Sequence, residues 1–257
     1  MDDSRLATET TARSRVGLVV DVQNDFMLPA APGGRLYVRD LGDDADPGAE
    51  RIVPRLRTVV AWMRSHCETI IYTADWHAMG DREIDAVAPD PALETYPPHC
   101  MGLSEDPDER RGAEIITDVA PGPDVLVLGR DAEPAEAREL ARRAVTEGAP
   151  LLIRKREFSI FTGNASTDPL LRALEAALGS PPEFVVCGVA ADVCVRHAVD
   201  GLLERGYAVT VVRDATWGLG LLGPEQTFDA WASRGARIVD TAALVGHTAS
   251  QPERRGR

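Results

Sequence analysis

Seven short apolar runs, separated by polar turns and segments of helical spacing, restrict this chain to a small set of folds. The runs are residues 16–20, 69–73, 125–128, 151–153, 184–187, 207–212 and 237–239. The strongest are continuous rather than alternating and rich in Val and Ile, as in strands buried on both faces. Between them, Ile52, Val53, Leu56, Val59, Val60 and Met63 repeat at helical spacing. Residues 134–147, 168–178 and 225–233 also read as helices, the second with Thr167 or Asp168 as N-cap and Pro169 at its first position. Strand and helix in alternation mean a parallel sheet covered on both faces, a three-layer α/β/α fold of Rossmann-like type. The expected organisation is a disordered leader over 1–14, one domain over 15–248 and a loose tail over 249–257.

In such a sheet, ligands bind beyond the C-terminal strand ends. The richest of these ends is Phe184-Val-Val-Cys-Gly-Val-Ala-Ala-Asp-Val-Cys-Val-Arg-His197. It passes from strand through Gly188 to a helix whose buried face is Val195, Ala198, Val199, Leu202 and Leu203, with Cys194 in the first turn. Helix N-terminal amides favour a thiolate there and would hold an oxyanion. Taken alone, Cys194 reads equally well as a buried structural cysteine.

Other strand ends decide between these readings. Asp21 follows the first run, Asp75 and His77 follow the second, and Lys155 follows the run at 151–153. Singly, Asp21 could be a loop cap and Lys155 a solvated side chain. Jointly, a thiol, a carboxylate and an ammonium at one sheet edge make an activated nucleophile. His197, three residues beyond Cys194, would face along the helix flank rather than the sheet edge.

Five segments carry a resemblance to a known family. They are Asp21-Val-Gln-Asn-Asp-Phe26, Asp75-Trp-His77, Tyr96-Pro-Pro-His-Cys100, Lys155-Arg-Glu-Phe-Ser-Ile-Phe161 and Cys187-Gly-Val-Ala-Ala-Asp-Val-Cys-Val195. In this order the chain resembles the isochorismatase-like cysteine hydrolases, which include the nicotinamidases. The resemblance implies a six-stranded parallel sheet and a catalytic triad of Asp21, Lys155 and Cys194. It further implies a cis peptide at Val189–Ala190 and an oxyanion hole from the N–H groups of Ala190 and Cys194. The expected activity is hydrolysis of a small carboxamide, nicotinamide to nicotinate and ammonia, through a thioester on Cys194. Another small amide or a ureido compound, hydrolysed without metal, is the alternative. A homo-oligomer is implied by the same resemblance.

Asp75 and His77 are one residue apart, so an extended backbone points both side chains the same way. Carboxylate and imidazole suit zinc, iron or manganese. The resemblance places such a divalent metal on Asp75, His77 and His99, and the substrate ring against Phe26 and Tyr96. A second histidine, common in nicotinamidases shortly after the Asp-x-His pair, is missing. Glu83 is the best acidic substitute, with Glu94 behind it. The proline-rich loop over 78–112 is long enough to be functional, and residues 131–150 look like an inserted helix.

Composition closes off other classes. A net charge of -13 argues against nucleic acid and anionic membranes as partners. Four cysteines make no framework, the first residues lack a signal-peptide core, and no run approaches a membrane span, so a cytoplasmic location is expected. Gly218-Leu-Gly-Leu-Leu-Gly223 matches a dinucleotide fingerprint, but residues 213–217 intervene after the strand and Pro224 delays the helix, so no nucleotide cofactor is expected. A purely interacting member of the fold would have no need of Asp21, Lys155 and Cys194 together.

Overall fold

The computed structural model describes residues 13–29 and 34–248. Of the expected leader and tail, only Arg13 and Ser14 lie within it, and the rest fall outside the described residues. Seven strands form one sheet: β1 (Arg15–Val20), β2 (Thr69–Asp75), β3 (Leu126–Leu128), β4 (Leu151–Lys155), β5 (Glu183–Val189), β6 (Ala208–Trp217) and β7 (Arg237–Val239). Their order is β3-β4-β2-β1-β5-β6-β7, with every pairing parallel. The six-stranded expectation is therefore corrected to seven. Both edge strands are three residues long, and each has a single neighbour to hold it.

The helices are α1 (Asn24–Met27), α2 (Val53–His66), α3 (Pro107–Gly112), α4 (Pro134–Glu147), α5 (Ile160–Gly163), α6 (Thr167–Leu178), α7 (Cys194–Glu204), α8 (Pro224–Ser233) and α9 (Thr241–Thr248). The N-cap of α6 is Ser166, so Pro169 lies two residues deeper in the first turn than expected. Strand periodicity sorts these helices into two layers. Val16, Leu18 and Val20 face one core with Leu140, Leu174, Val199 and Trp231, from α4, α6, α7 and α8. Val19, Tyr72 and Val185 face the other with Leu56, Met63 and Leu244, from α2 and α9. The helix read at 131–150 is α4, which crosses from β3 to β4 and packs along α6.

The chain leaves β1 toward β2 on one side and returns to β5 on the other, which opens a crevice at the C-terminal ends of these strands. Gly188 lets β5 approach β1 there: its φ is 127°, and a Cβ would lie 2.1 Å from the Val20 carbonyl oxygen. Among the described residues no helix is long and apolar enough to cross a membrane.

Candidate active site

Four adjacent strands, β4, β2, β1 and β5, deliver Lys155, Asp75, Asp21 and the cysteine turn to one place. Asp21 follows β1 with a left-handed φ of 50° and is fully buried. Thr73 Oγ1 donates to Asp21 Oδ1 at 2.6 Å. Asp75 and Lys155 are register partners at the ends of β2 and β4. Lys155 Nζ lies 2.9 Å from Asp21 Oδ2, pairs with Asp75 Oδ1, and sits 3.8 Å from Cys194 Sγ. Gln23 clamps the next layer: Asp75 N donates to its Oε1 at 2.8 Å, and its Nε2 donates to Asp75 O at 2.8 Å.

Beyond β5 the Val189–Ala190 peptide is cis. Cys194 is the first residue of α7, and Ala190 O accepts from Val193 N and Val195 N, both at 3.0 Å. Among the described residues, nothing accepts from the N–H groups of Ala190 or Cys194. Cys194 and Ala190 line a cavity of about 250 Å³, just under the roughly 300 Å³ at which drug-sized pockets begin. Phe26, Tyr37, Val38, Tyr96, Pro97, Phe158, Val193 and Leu219 make most of its wall. Asp75 is the one charged side chain lining it among the described residues.

The buried charges set one another's protonation. Burial raises Asp21 above the usual carboxylate range, and Lys155 only partly offsets it. Burial would raise Asp75 too, but Lys155 and the two nearby histidines outweigh it and hold the group low. Burial opposes the Lys155 charge, yet Asp21 and Asp75 keep its ammonium well above its ordinary value. Cys194 is pushed well up, first by burial and then by Asp21 and Asp75, despite the Lys155 charge. Burial above all, with Asp21 and Asp75 beside the sulfur, thus opposes the thiolate that the helix end favours.

Asp75, His77 and His99, all buried, bring ligand atoms within 4.8 Å of one another. His77 lies 3.4 Å through Nδ1 from Asp81 Oδ2, and His99 Nδ1 lies 2.8 Å from the Pro97 carbonyl. Both partners only accept, so each Nδ1 carries the hydrogen and each Nε2 keeps a lone pair. His77 Nε2 is 4.0 Å from Asp75 Oδ2 and 3.8 Å from Glu83 Oε2. His77 Nε2 and Glu83 Oε2 are buried without a hydrogen-bond partner. Burial, with the Asp75 charge, pushes Glu83 up to about 8, while burial and His77 push His99 down to about 4. A divalent cation fits the Asp75 oxygen and the two histidine nitrogens; Glu83, 3.8 Å from His77 Nε2, stands outside the group whose ligand atoms are all within 4.8 Å of one another.

Phe26 and Tyr96 flank the same group. The Phe26 ring is 5.5 Å and the Tyr96 ring 6.2 Å from His99. Glu94, by contrast, is exposed and pairs with Arg82 at 3.3 Å, away from the cluster. His197 stacks on Phe158 and lines a separate polar cavity with Glu83, so it is not the partner of Cys194. The glycine loop departs from its sequence reading, because β6 continues to Trp217 and Gly218 follows it directly. Its amides at Leu219 and Leu221 donate to the Asp192 carboxylate at 2.9 and 2.8 Å. Sequence reasoning missed Thr73, Gln23, Phe158, Asp81 and Arg130. Gln23 and Phe158 stood inside quoted motifs, and the others gave no local signal.

The isochorismatase domain model matches residues 16–243. The nicotinamidase of Escherichia coli strain K12 is 27% identical over 222 residues, covering 80% of this chain and 84% of that protein. Among solved structures, N-carbamoylsarcosine amidase from Thermoplasma acidophilum superposes with a TM-score of 0.57 at 24% identity, covering 89% of this chain and 96% of that one. Pyrazinamidase of Pyrococcus horikoshii, solved in complex with zinc, gives a TM-score of 0.59 at 24% identity, covering 88% and 99%. With the family model spanning nearly all of the described domain, the chain belongs to the isochorismatase-domain family of hydrolases.

Proposed function

We propose that this protein hydrolyses a small neutral carboxamide of the nicotinamide type, using Cys194 as nucleophile, Asp21 as proton shuttle and Lys155 as electrostatic partner. The observation that carries this reading is the buried approach of Lys155 to Asp21 and to Cys194, the last of which lines an apolar cavity.

The geometry supports the following proton balance. Burial opposes ionisation of Cys194, so its proton passes to Asp21, whose raised affinity suits a base, as sulfur attacks the amide carbon. As the S–C bond forms, the carbonyl oxygen takes up negative charge between the N–H groups of Ala190 and Cys194. Asp21 then gives the proton to the departing nitrogen, the C–N bond breaks, and ammonia leaves a thioester on Cys194. Asp21 next takes a proton from water as its oxygen attacks the thioester, releasing the carboxylic acid and returning the proton to sulfur. Lys155 stays charged throughout and offsets the negative charge that builds beside it.

Asp75, His77 and His99 would hold a zinc, iron or manganese ion. Such an ion would supply Lewis-acid anchoring for a heteroatom on the substrate ring. Phe26 and Tyr96, in the cavity wall beside His99, would bracket that ring. An anionic substrate, such as a ureido acid, would set its carboxylate against apolar wall with no cation lining it among the described residues.

Ammonia release from a panel of neutral and carboxylate-bearing amides, with metal analysis of the purified protein, tests the reading. Turnover confined to neutral amides and abolished in Cys194→Ala supports it; undiminished turnover in that variant refutes it.

A further inference from the structure

Two residues outside every motif, Asp81 and Arg130, converge behind His77. Asp81 Oδ2 lies 3.4 Å from His77 Nδ1 and accepts from Ala78 N at 2.9 Å. Arg130 grips the same carboxylate as a fork, with Nη1 donating to Oδ2 at 2.5 Å and Nη2 donating to Oδ1 at 3.0 Å. Its Nη1 also donates to the Trp76 carbonyl at 2.8 Å, the peptide between Asp75 and His77. The Arg130 and Asp81 side chains are only 13% and 10% exposed, so solvent screens this pair little.

We propose that Asp81, locked by Arg130, is the positioning residue that aims His77 at the metal. The inference rests on the metal reading given above. A carboxylate can only accept, so it fixes the hydrogen on Nδ1 and leaves the Nε2 lone pair toward Asp75 and Glu83. It also makes the imidazole a better donor to a cation. Unsupported, the Asp81 carboxylate could turn away. The guanidinium fork sets its plane as a point charge cannot, and offsets its added negative charge. Through Trp76 O the same guanidinium holds the backbone that carries two ligands. The Trp76 ring in turn lies under the Arg154 guanidinium, 3.7 Å from its centroid, and above Gly102, where a Cβ would come within 2.2 Å of the indole. Neither Asp81 nor Arg130 lines the substrate cavity.

The test is zinc affinity of the full chain, measured by chelator competition for the unaltered protein, Asp81→Asn, Arg130→Gln, Arg130→Lys and His77→Ala. Unfolding of each metal-free form is recorded alongside. Loss of a supporting partner of this kind weakens metal binding about 10–100-fold. That loss is expected in Asp81→Asn and Arg130→Gln. Arg130→Lys keeps the charge but loses the fork, so it is expected to fall between them and the unaltered protein. The cobalt-substituted forms should differ in visible absorption, which a change in stability alone would not produce. Zinc affinity within twofold of the unaltered protein in both Asp81→Asn and Arg130→Gln, with His77→Ala impaired, overturns this inference while leaving the metal site standing. An unaltered protein that binds no zinc overturns both. Should Asp81→Asn fail to fold, Arg130→Lys against Arg130→Gln carries the same comparison.

Discussion

Lys155 Nζ and Asp21 Oδ2 stand 2.9 Å apart with both side chains fully out of solvent, and the same ammonium contacts Asp75 and approaches Cys194. One cation therefore contacts two carboxylates and approaches a thiol, all four side chains buried. A buried pair of this kind adds little stability over apolar packing, but removing one member leaves charge uncompensated. Lys155→Met is expected to cost about 3–5 kcal/mol in urea unfolding at neutral pH. It should also abolish turnover. Unfolding at the wild-type midpoint would show that Lys155 is not the partner of these carboxylates.

Asp21→Asn keeps the shape and the acceptor for Thr73 but removes the proposed base. The expected loss in kcat/KM is about 10²–10⁴-fold, the usual worth of a general base. A kcat/KM within twofold of the wild type would assign the proton elsewhere.

Gly188 is fixed by space and backbone together. Gly188→Ala drives a Cβ into the Val20 carbonyl at a φ of 127°. Destabilisation at or above the top of the roughly 1–3 kcal/mol range for overpacking is expected. Denaturant midpoints measure it, and an unchanged midpoint would contradict the close approach of β5 to β1.

At the opposite end of the sheet, burial would raise Glu183, but the Thr210 hydroxyl at 2.6 Å and Arg15 at 3.1 Å, with Arg237 at 3.2 Å, bring it below its ordinary value. A carboxylate depressed on folding contributes stability above its unfolded value of 4.5, and that contribution fades as pH falls through the lowered value. The melting-temperature gap between the wild type and Glu183→Gln should be widest near pH 7 and shrink below about pH 4.5. A gap that does not change with pH would remove the linkage.

Much of this site was legible because its residues lie directly after strands, where the fold leaves only a few places to meet. Asp21, Asp75, His77, Lys155 and Cys194 each sit within a few residues of an apolar run, so knowing the sheet was parallel was enough to group them. Glu83 was reachable because a missing histidine called for a substitute. Asp81 and Arg130 were not, because their contact spans 49 residues and depends on β3 lying beside β4. The extent of β6 was hidden as well. Arg213 and Asp214 interrupt its apolar run, yet pairing with β5 resumes past a register shift at Thr216 and Trp217. The seven apolar runs counted the strands correctly, and the resemblance undercounted them by one.

The central claim, that Cys194 takes the acyl group of a neutral carboxamide, is tested most directly by rapid quench of the protein during nicotinamide turnover, followed by mass spectrometry of the intact chain and its peptides. The account predicts one nicotinoyl group per chain, labile to hydroxylamine, located on Cys194 and absent from Cys194→Ala. Turnover of nicotinamide with no acyl group on any cysteine, or with the group on Cys100, would contradict it.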